Sequence, residues 1–328
     1  MSETVKAIQL SSNGGPNVMQ WVDVELPELG ATDVLVRHEA VGLNYIDVYF
    51  RTGLYPQEMP GKIGMEGSGV VEAVGSEVTY VSVGDRVAYA GQPLGAYSQK
   101  RVMPQTTLVK LPDSISFEQG AAMMLQGLTV QYLVTDSYAV KAGDTVLLHA
   151  AAGGVGLIAV QWLKALGARV IGTVGNAEKA ELVKQYGCDE TIIYTQEDFT
   201  ARTRELTDGK GVAAVYDSIG KDTFMGSLDC LAPRGTMVSF GNATGAVPAF
   251  EIGLLAAKGS LKVTRPTLMS YVHDRTMLES MASDLFARVE SGQVKIEINQ
   301  RYALADVAQA HADLEGRKTT GSTILLPY

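Results

Sequence analysis

TVLLHAAAGGVGLIAVQWLKALGARVIGTVGNAEKA, residues 145–180, decides the fold of this chain. It opens on TVLLHA, an apolar run of the kind that fills the middle of a parallel sheet. Ala151-Ala152-Gly153-Gly154-Val155-Gly156 follows as an A-x-G-x-x-G turn, helical spacing runs through LIAVQWLKALG, and RVIGTV is a second buried strand. Strand, glycine turn, helix and strand in that order make a βαβ unit of the dinucleotide-binding type. The middle glycine lets the backbone approach a pyrophosphate and the last lets the helix pack against the strand. The helix N-terminus offers unpaired N–H groups and the positive end of its dipole. Gly153, Gly154, Val155 and Gly156 are therefore the candidate phosphate cradle. A tight turn in any α/β domain is the competing reading, since Ala151 replaces the first glycine; the flanking strand and helix favour the binding one. Residues 145–163 are uncharged over a length that could span a bilayer, but three glycines and a change of periodicity make them strand, turn and helix.

The second strand selects the dinucleotide. An NAD site ordinarily carries a carboxylate about 20 residues after the turn, held against the ribose 2′-hydroxyl. Here RVIGTV ends in Gly175-Asn176-Ala177-Glu178-Lys179. Gly175 leaves room where the acid would stand, and Lys179 lies within reach of a 2′-phosphate, a contact worth about 1.5–3 kcal/mol. Glu178 is the opposing sign, read as a charge that complements the helix dipole. NADPH is expected over NADH. Tyr194 ends the third strand, ETIIYT, at the carboxyl edge where open α/β sheets bind ligands; an aromatic covering the sheet edge is the alternative.

Outward from this centre the rhythm changes twice. Before it, VKAIQL, VMQWVDVEL, DVLVRHEAVGL, GSGVVEAVGS, GDRVAYAG and AYSQKRVM are short β-prone runs parted by turns. From Gln119 onward strands alternate with helices, through AEKAELVKQYG, ETIIYT, a polar helix near 198–206, VAAVYDSIG and TMVSFGN. After Arg265-Pro266 the alternation stops, leaving a helix over 274–290, a short strand, a helix near 304–314 and a last strand, STILLP. The pattern predicts a doubly wound parallel α/β sheet inserted in a β-rich domain: residues 1–125 and 266–328 form one domain and 126–265 the other.

With 328 residues, 46% hydrophobic, the chain can fill two cores without staples. Two cysteines, Cys188 and Cys230, make neither a disulfide framework nor a thiolate zinc cluster, and a reducing compartment follows. Residues 1–10 carry Glu3 and Lys6 and lack the pattern of a signal peptide, so a cytoplasmic location is expected. A net charge of −9 argues against nucleic acid as a partner, and no membrane insertion is expected.

AAGGVG at 151–156, GMEGSGVVEAVG at 64–75, GLNYIDVYFRTGLYP at 42–56 and SFGN at 239–242 resemble the zinc-free quinone oxidoreductases, relatives of zeta-crystallin in the medium-chain dehydrogenase/reductase superfamily. The resemblance covers nearly the whole chain. It implies a GroES-like β domain built from both chain ends, a Rossmann domain inserted in it, a cleft for NADPH, and a homodimer. It places Asn44 near the nicotinamide ribose or carboxamide, and Tyr49 and Tyr55 beside the substrate. Thr129, Tyr194, Ser218, Phe240, Gly241, Asn242 and Arg317 become further cofactor contacts. Tyr45, Tyr49 and Tyr55 share one short segment, where mutual packing is the competing role. Arg265 is either an anchor for substrate or cofactor or a solvated charge at a strand end.

Zinc alcohol dehydrogenases of that superfamily carry G-H-E where this chain has Gly64-Met65-Glu66, and Asn44 stands in place of a ligand cysteine. A thioether is a poor zinc ligand, and His38, His149, His273 and His311 have no ligand spacing. No metal is expected. An acceptor that takes hydride without carbonyl polarisation then fits, and a quinone is such an acceptor; the expected activity is NADPH-dependent quinone reduction. Two alternatives stay open: reduction of an α,β-unsaturated ketone or aldehyde with a tyrosine serving the enolate, and a nucleotide-regulated RNA-binding or structural role. No G-x-S-x-G occurs, against a serine hydrolase.

Overall fold

The computed structural model describes residues 3–328, which divide into two compact units. The first holds the chain up to Leu128 together with Val272–Glu290 and Ile296–Tyr328; the second holds Thr129–Tyr271 and Ser291–Lys295.

The first unit is built on strands. In chain order these are β1 (Thr4–Leu10), β2 (Met19–Glu25), β3 (Asp33–Leu43), helix α1 (Tyr45–Thr52), β4 (Gly61–Lys62), β5 (Glu66–Val74), β6 (Arg86–Ala90), β7 (Lys100–Pro104) and β8 (Val109–Lys110). Along β3 alternate residues are buried, the period expected of a strand with one face on a core; its last four residues are buried outright. β3 pairs antiparallel with β5 and β7, and Leu10, Val36, Leu43, Val71, Val87 and Tyr97 close the core around it. Helix α2 (Phe117–Tyr132) follows. The sequence reading places no helix there, although Ser116 and Gln119 mark its start: each side chain accepts from the other's backbone N–H, at 3.1 and 3.0 Å.

The second unit begins within α2 and continues through a π-helical turn, Leu133–Ser137. Then come β9 (Thr145–Leu148), α3 (Gly154–Ala165), β10 (Arg169–Val174), α4 (Ala177–Gln185), β11 (Glu190–Ile193), α5 (Phe199–Leu206), β12 (Val212–Asp217), α6 (Phe224–Cys230), β13 (Leu231–Ser239), α7 (Gly253–Ala257), β14 (Lys262–Thr264) and α8 (Leu268–Tyr271). The sheet order is β11-β10-β9-β12-β13-β14 with every pairing parallel. Strand order reverses at β9, so the crevice outside its carboxyl end is the topological switch point where such sheets take ligands. The glycine turn begins there. Leu147, Ile171, Ile192, Val215 and Met237 fill the core.

The remaining elements are α9 (Arg275–Glu290), β15 (Ile298–Ala303), α10 (Val307–Glu315) and β16 (Ser322–Leu326). β16 pairs antiparallel with β3, Thr323 opposite Leu43, so the last strand completes the sheet begun near the start of the chain. The second unit extends past the expected limit at residue 265 and takes in Ser291–Lys295. Tyr271 stacks on Tyr132 with centroids 4.2 Å apart. The Gln161 side chain pairs twice with the backbone of Lys295, at 2.8 and 3.0 Å. Both ties join residues far apart in sequence. Among the described residues no helix is long and apolar enough to cross a membrane.

Candidate active site

The glycine turn is built from backbone. Ala150 leaves β9 at φ +54°, an unusual conformation for a residue with a Cβ, and Ala151 N–H donates to Thr173 O at 3.0 Å. Gly153 caps α3 in extended conformation without a side chain to close the first helical turn. A Cβ on Gly156 would lie 2.4 Å from Ala150 O and 2.5 Å from Ala151 O, so only glycine lets helix and strand approach. The turn therefore presents main chain to its surroundings, as the pyrophosphate of a dinucleotide requires; this cradle is the structural feature that fits NADPH.

Gly175 and Tyr194 come together at the neighbouring strand ends, where a Cβ on Gly175 would lie 3.1 Å from Tyr194 Oη. Thr195 Oγ1 donates to Gly175 O at 2.9 Å, and Lys179 enters α4 with its backbone N–H donating to the Asn176 side-chain cap at 2.9 Å. Ser218 and Gly241 meet at the ends of β12 and β13, a Cβ on Gly241 falling 2.5 Å from Ser218 O. Phe240 N–H donates to Asp217 O at 2.8 Å, and Asn242 O accepts from Gly245 N–H at 2.9 Å. Asp217 accepts from the N–H groups of Ile219 and Gly220 and from Thr223 and Ser227, which fixes the loop that carries Ser218. Thr129 is buried beside Tyr132, whose hydroxyl is pushed up to about 12 by burial, with Thr129 and Arg265 opposing. Arg265 is exposed just after β14 and donates to Pro266 O at 3.0 Å.

In the first unit Asn44 lies between β3 and α1. Its backbone N–H donates to Asp47 Oδ2 at 2.9 Å, and with Gly53 at φ +82° closing the helix, α1 is defined at both ends. Tyr49 is buried and Tyr55 half-buried; their rings meet edge to face, centroids 5.2 Å apart, and Tyr45 packs on Tyr49 at 5.6 Å. Arg317 is exposed past α10, near enough for its charge to act on Tyr45.

Sequence reasoning missed most of the polar groups around Asn44. Asn44 Nδ2 donates to Glu66 Oε2 at 2.6 Å, and Gln126 Nε2 donates to Asn44 Oδ1 at 3.1 Å. Tyr97 Oη donates to Asp47 Oδ2 at 2.8 Å and lies 3.3 Å from His311 Nε2. Arg51 donates to His311 Nδ1 and, through two nitrogens at 2.8 Å each, to Glu315. Burial pushes Asp47 up to about 7 and Glu66 up to about 8. Burial pushes His38 and His311 down to about 3, with Arg51 adding to the effect at His311. Asn44-x-x-Asp47 is legible as a capping pattern; nothing near Gln126 in the sequence points at Asn44. Among the described residues no group of three or more His, Cys, Asp or Glu side chains could hold a metal ion.

The chain matches the family models for the alcohol dehydrogenase GroES-like domain over residues 30–113 and for zinc-binding dehydrogenase over 154–284. It is 56% identical to the quinone oxidoreductase of Pseudomonas aeruginosa, over 98% of this chain and 99% of that protein. A 2-haloacrylate reductase of Burkholderia is 43% identical, with 98% and 99% covered. The crystal structure of Escherichia coli quinone oxidoreductase complexed with NADPH superposes with a TM-score of 0.96 at 46% identity, covering 98% of this chain and all of that one.

Proposed function

This chain belongs to the quinone oxidoreductase family, with the GroES-like and Rossmann domains of the medium-chain dehydrogenases/reductases, and on that premise we propose that it reduces quinones with NADPH by direct hydride transfer. The observation that carries the reading is the backbone-lined turn at Gly153–Gly156 beside a strand that ends in Gly175 rather than a carboxylate. The cofactor bound there would supply the hydride, from nicotinamide C4.

The chain's own residues do the rest. Gly153, Gly154, Val155 and Gly156 hold the pyrophosphate on the first turn of α3. Gly175 leaves space for the 2′-phosphate, Lys179 pairs with it, and Tyr194 covers it. Thr129, Ser218, Phe240, Gly241, Asn242, Asn44 and Arg317 complete the cofactor contacts. Tyr49 and Tyr55 orient the quinone and Arg265 anchors it, so the protein supplies proximity and orientation. Hydride arrival leaves a hydroquinone anion far less basic than an alkoxide, which takes its proton from water. The donor set agrees with a reaction that needs no metal: the thioether of Met65 and the amide of Asn44 are poor substitutes for zinc ligands. In stopped-flow mixing with small para- and ortho-quinones, NADPH is expected to be oxidised in a single turnover. Absence of oxidation with every quinone tried would sink the proposal.

The 2-haloacrylate reductase among the relatives favours one second reading, reduction of an activated alkene. Comparing kcat/KM for quinones and enones separates the two. A homodimer in the cytoplasm completes the proposal. β14 is an edge strand of its sheet, and nearby Ile252 is 82% exposed, an apolar side chain suited to a second copy. Light scattering is expected to give twice the chain mass.

A further inference from the structure

Ser322, Gln126, Asn44 and Glu66, from four separate places in the sequence, form one line of hydrogen bonds within the first unit. Ser322 Oγ donates to Gln126 Oε1 at 2.8 Å, Gln126 Nε2 to Asn44 Oδ1 at 3.1 Å, and Asn44 Nδ2 to Glu66 Oε2 at 2.6 Å. The other Glu66 oxygen accepts from Leu125 N–H at 2.8 Å. All four side chains are buried, none more than 6% exposed. The carboxylate has no room to move away, because even a Cβ on Gly42 would lie 2.3 Å from Glu66 Oε2.

Such a line has a direction. An amide offers oxygen on one side and NH2 on the other, and the two ends have nearly the same shape, so partners rather than packing decide which way it points. An ionised carboxylate only accepts. Ending the line on Glu66 therefore turns the Asn44 NH2 toward Glu66 and its oxygen toward Gln126. Replacing the carboxylate by an amide that keeps its bond from Leu125 would present NH2 to Asn44. The line could then satisfy itself only by turning over Asn44 and Gln126 together, with Ser322 free to donate to Ala122 O, 3.0 Å away.

We propose that Glu66 and Gln126 are positioning residues that set the polarity of the Asn44 amide, and so decide whether its donor or its acceptor is offered to the nicotinamide end of the cofactor. The proposal rests on the reading above that Asn44 is a cofactor ligand. It assigns Glu66 and Gln126 no contact with the reacting atoms.

The test compares the full-length protein with Glu66→Gln, Gln126→Glu, the double variant carrying both, and Asn44→Ala. Measurements at about pH 9 keep Glu66 ionised, above the value near 8 to which burial pushes it. Asp47 is the titratable group whose charge raises Glu66, and the charge of Glu66 in turn raises Tyr89 and Tyr97. Gln126→Glu confronts Asn44 with acceptors on both sides and is expected to lower the urea midpoint. The double variant keeps the charge and the number of hydrogen bonds but reverses the line. Its midpoint is expected to recover toward the parent while its Kd for NADPH stays about 10- to 100-fold weaker. Glu66→Gln alone is expected to show the same loss of affinity, and serves if the double variant does not fold. As pH falls through about 8 a proton makes Glu66 a donor, and the parent's affinity approaches that of Glu66→Gln. A purely structural role predicts that affinity returns with stability, so a double variant binding NADPH within about twofold of the parent overturns the proposal. Asn44→Ala separates the two levels. If it binds and turns over NADPH like the parent, the ligand reading itself fails; if it is impaired while the double variant is normal, only the polarity proposal fails.

Discussion

At Gly153–Gly156 the second unit presents main chain, and three of the four residues there are glycine, at the N-terminus of α3. At Asn44 the first unit works with side chains: Glu66, Gln126, Asp47, Tyr97, His311 and Arg51 reach one another from positions up to 260 residues apart. A backbone site tolerates almost no added atom but depends on few partners. A side-chain network tolerates small changes of shape but fails when one donor or acceptor is left without its counterpart.

Gly156→Val tests the backbone side of this contrast most severely. The new side chain meets two carbonyl oxygens, and a loss of about 4 kcal/mol of stability with no measurable NADPH binding is expected, read by urea denaturation and fluorescence titration. Near-parental binding would mean that the turn yields, and the contrast would break. Glu315→Ala probes the side-chain region. It leaves Arg51, 1% exposed, without its carboxylate, and a loss of about 3 kcal/mol is expected in the same denaturation assay.

Lys179→Ala sharpens the comparison within the second unit, since it alters a charge and leaves the turn alone. NADPH is expected to weaken by about 1.5–3 kcal/mol while NADH is unchanged. Equal loss for both nucleotides would remove Lys179 from the 2′-phosphate.

The smallest effect concerns pH. Asp47 is held near 7 in the folded protein, above the ordinary carboxylate range, so its contribution to stability is complete below about pH 4 and is lost as pH rises through 7. His38 and His311, held near 3, act in the opposite sense: their contribution is present above about 6.5 and lost as pH falls. Between pH 6 and 8 the parent is expected to lose about 1–2 kcal/mol relative to Asp47→Asn, a difference in which the histidines cancel. Parallel pH curves would show that Asp47 titrates normally.

The parts of the candidate site whose arrangement is legible in the sequence are those whose cause is local. Gly175 and Tyr194 sit side by side because they end adjacent parallel strands, and the strand ends follow from apolar runs and helix caps. Ser218 and Gly241 meet for the same reason, at the ends of β12 and β13. Helix α2 escaped notice because small and apolar residues cover most of its surface, leaving the Ser116–Gln119 pair as its one clear mark. Gln126 and Ser322 give no sequence signal of their meeting, since only the pairing of β16 with β3 brings the last strand beside Asn44.

The sequence by itself determined the βαβ alternation, the glycine turn, the missing carboxylate at Gly175 and the return of the chain end to the first domain. Each is dictated by periodicity or by a residue's own conformational limits, and both act over a few neighbours. Tertiary structure alone decided which polar groups surround Asn44 and which way its amide points. Those depend on donors and acceptors that share no local pattern, and that must find one another once burial has removed water as an alternative partner.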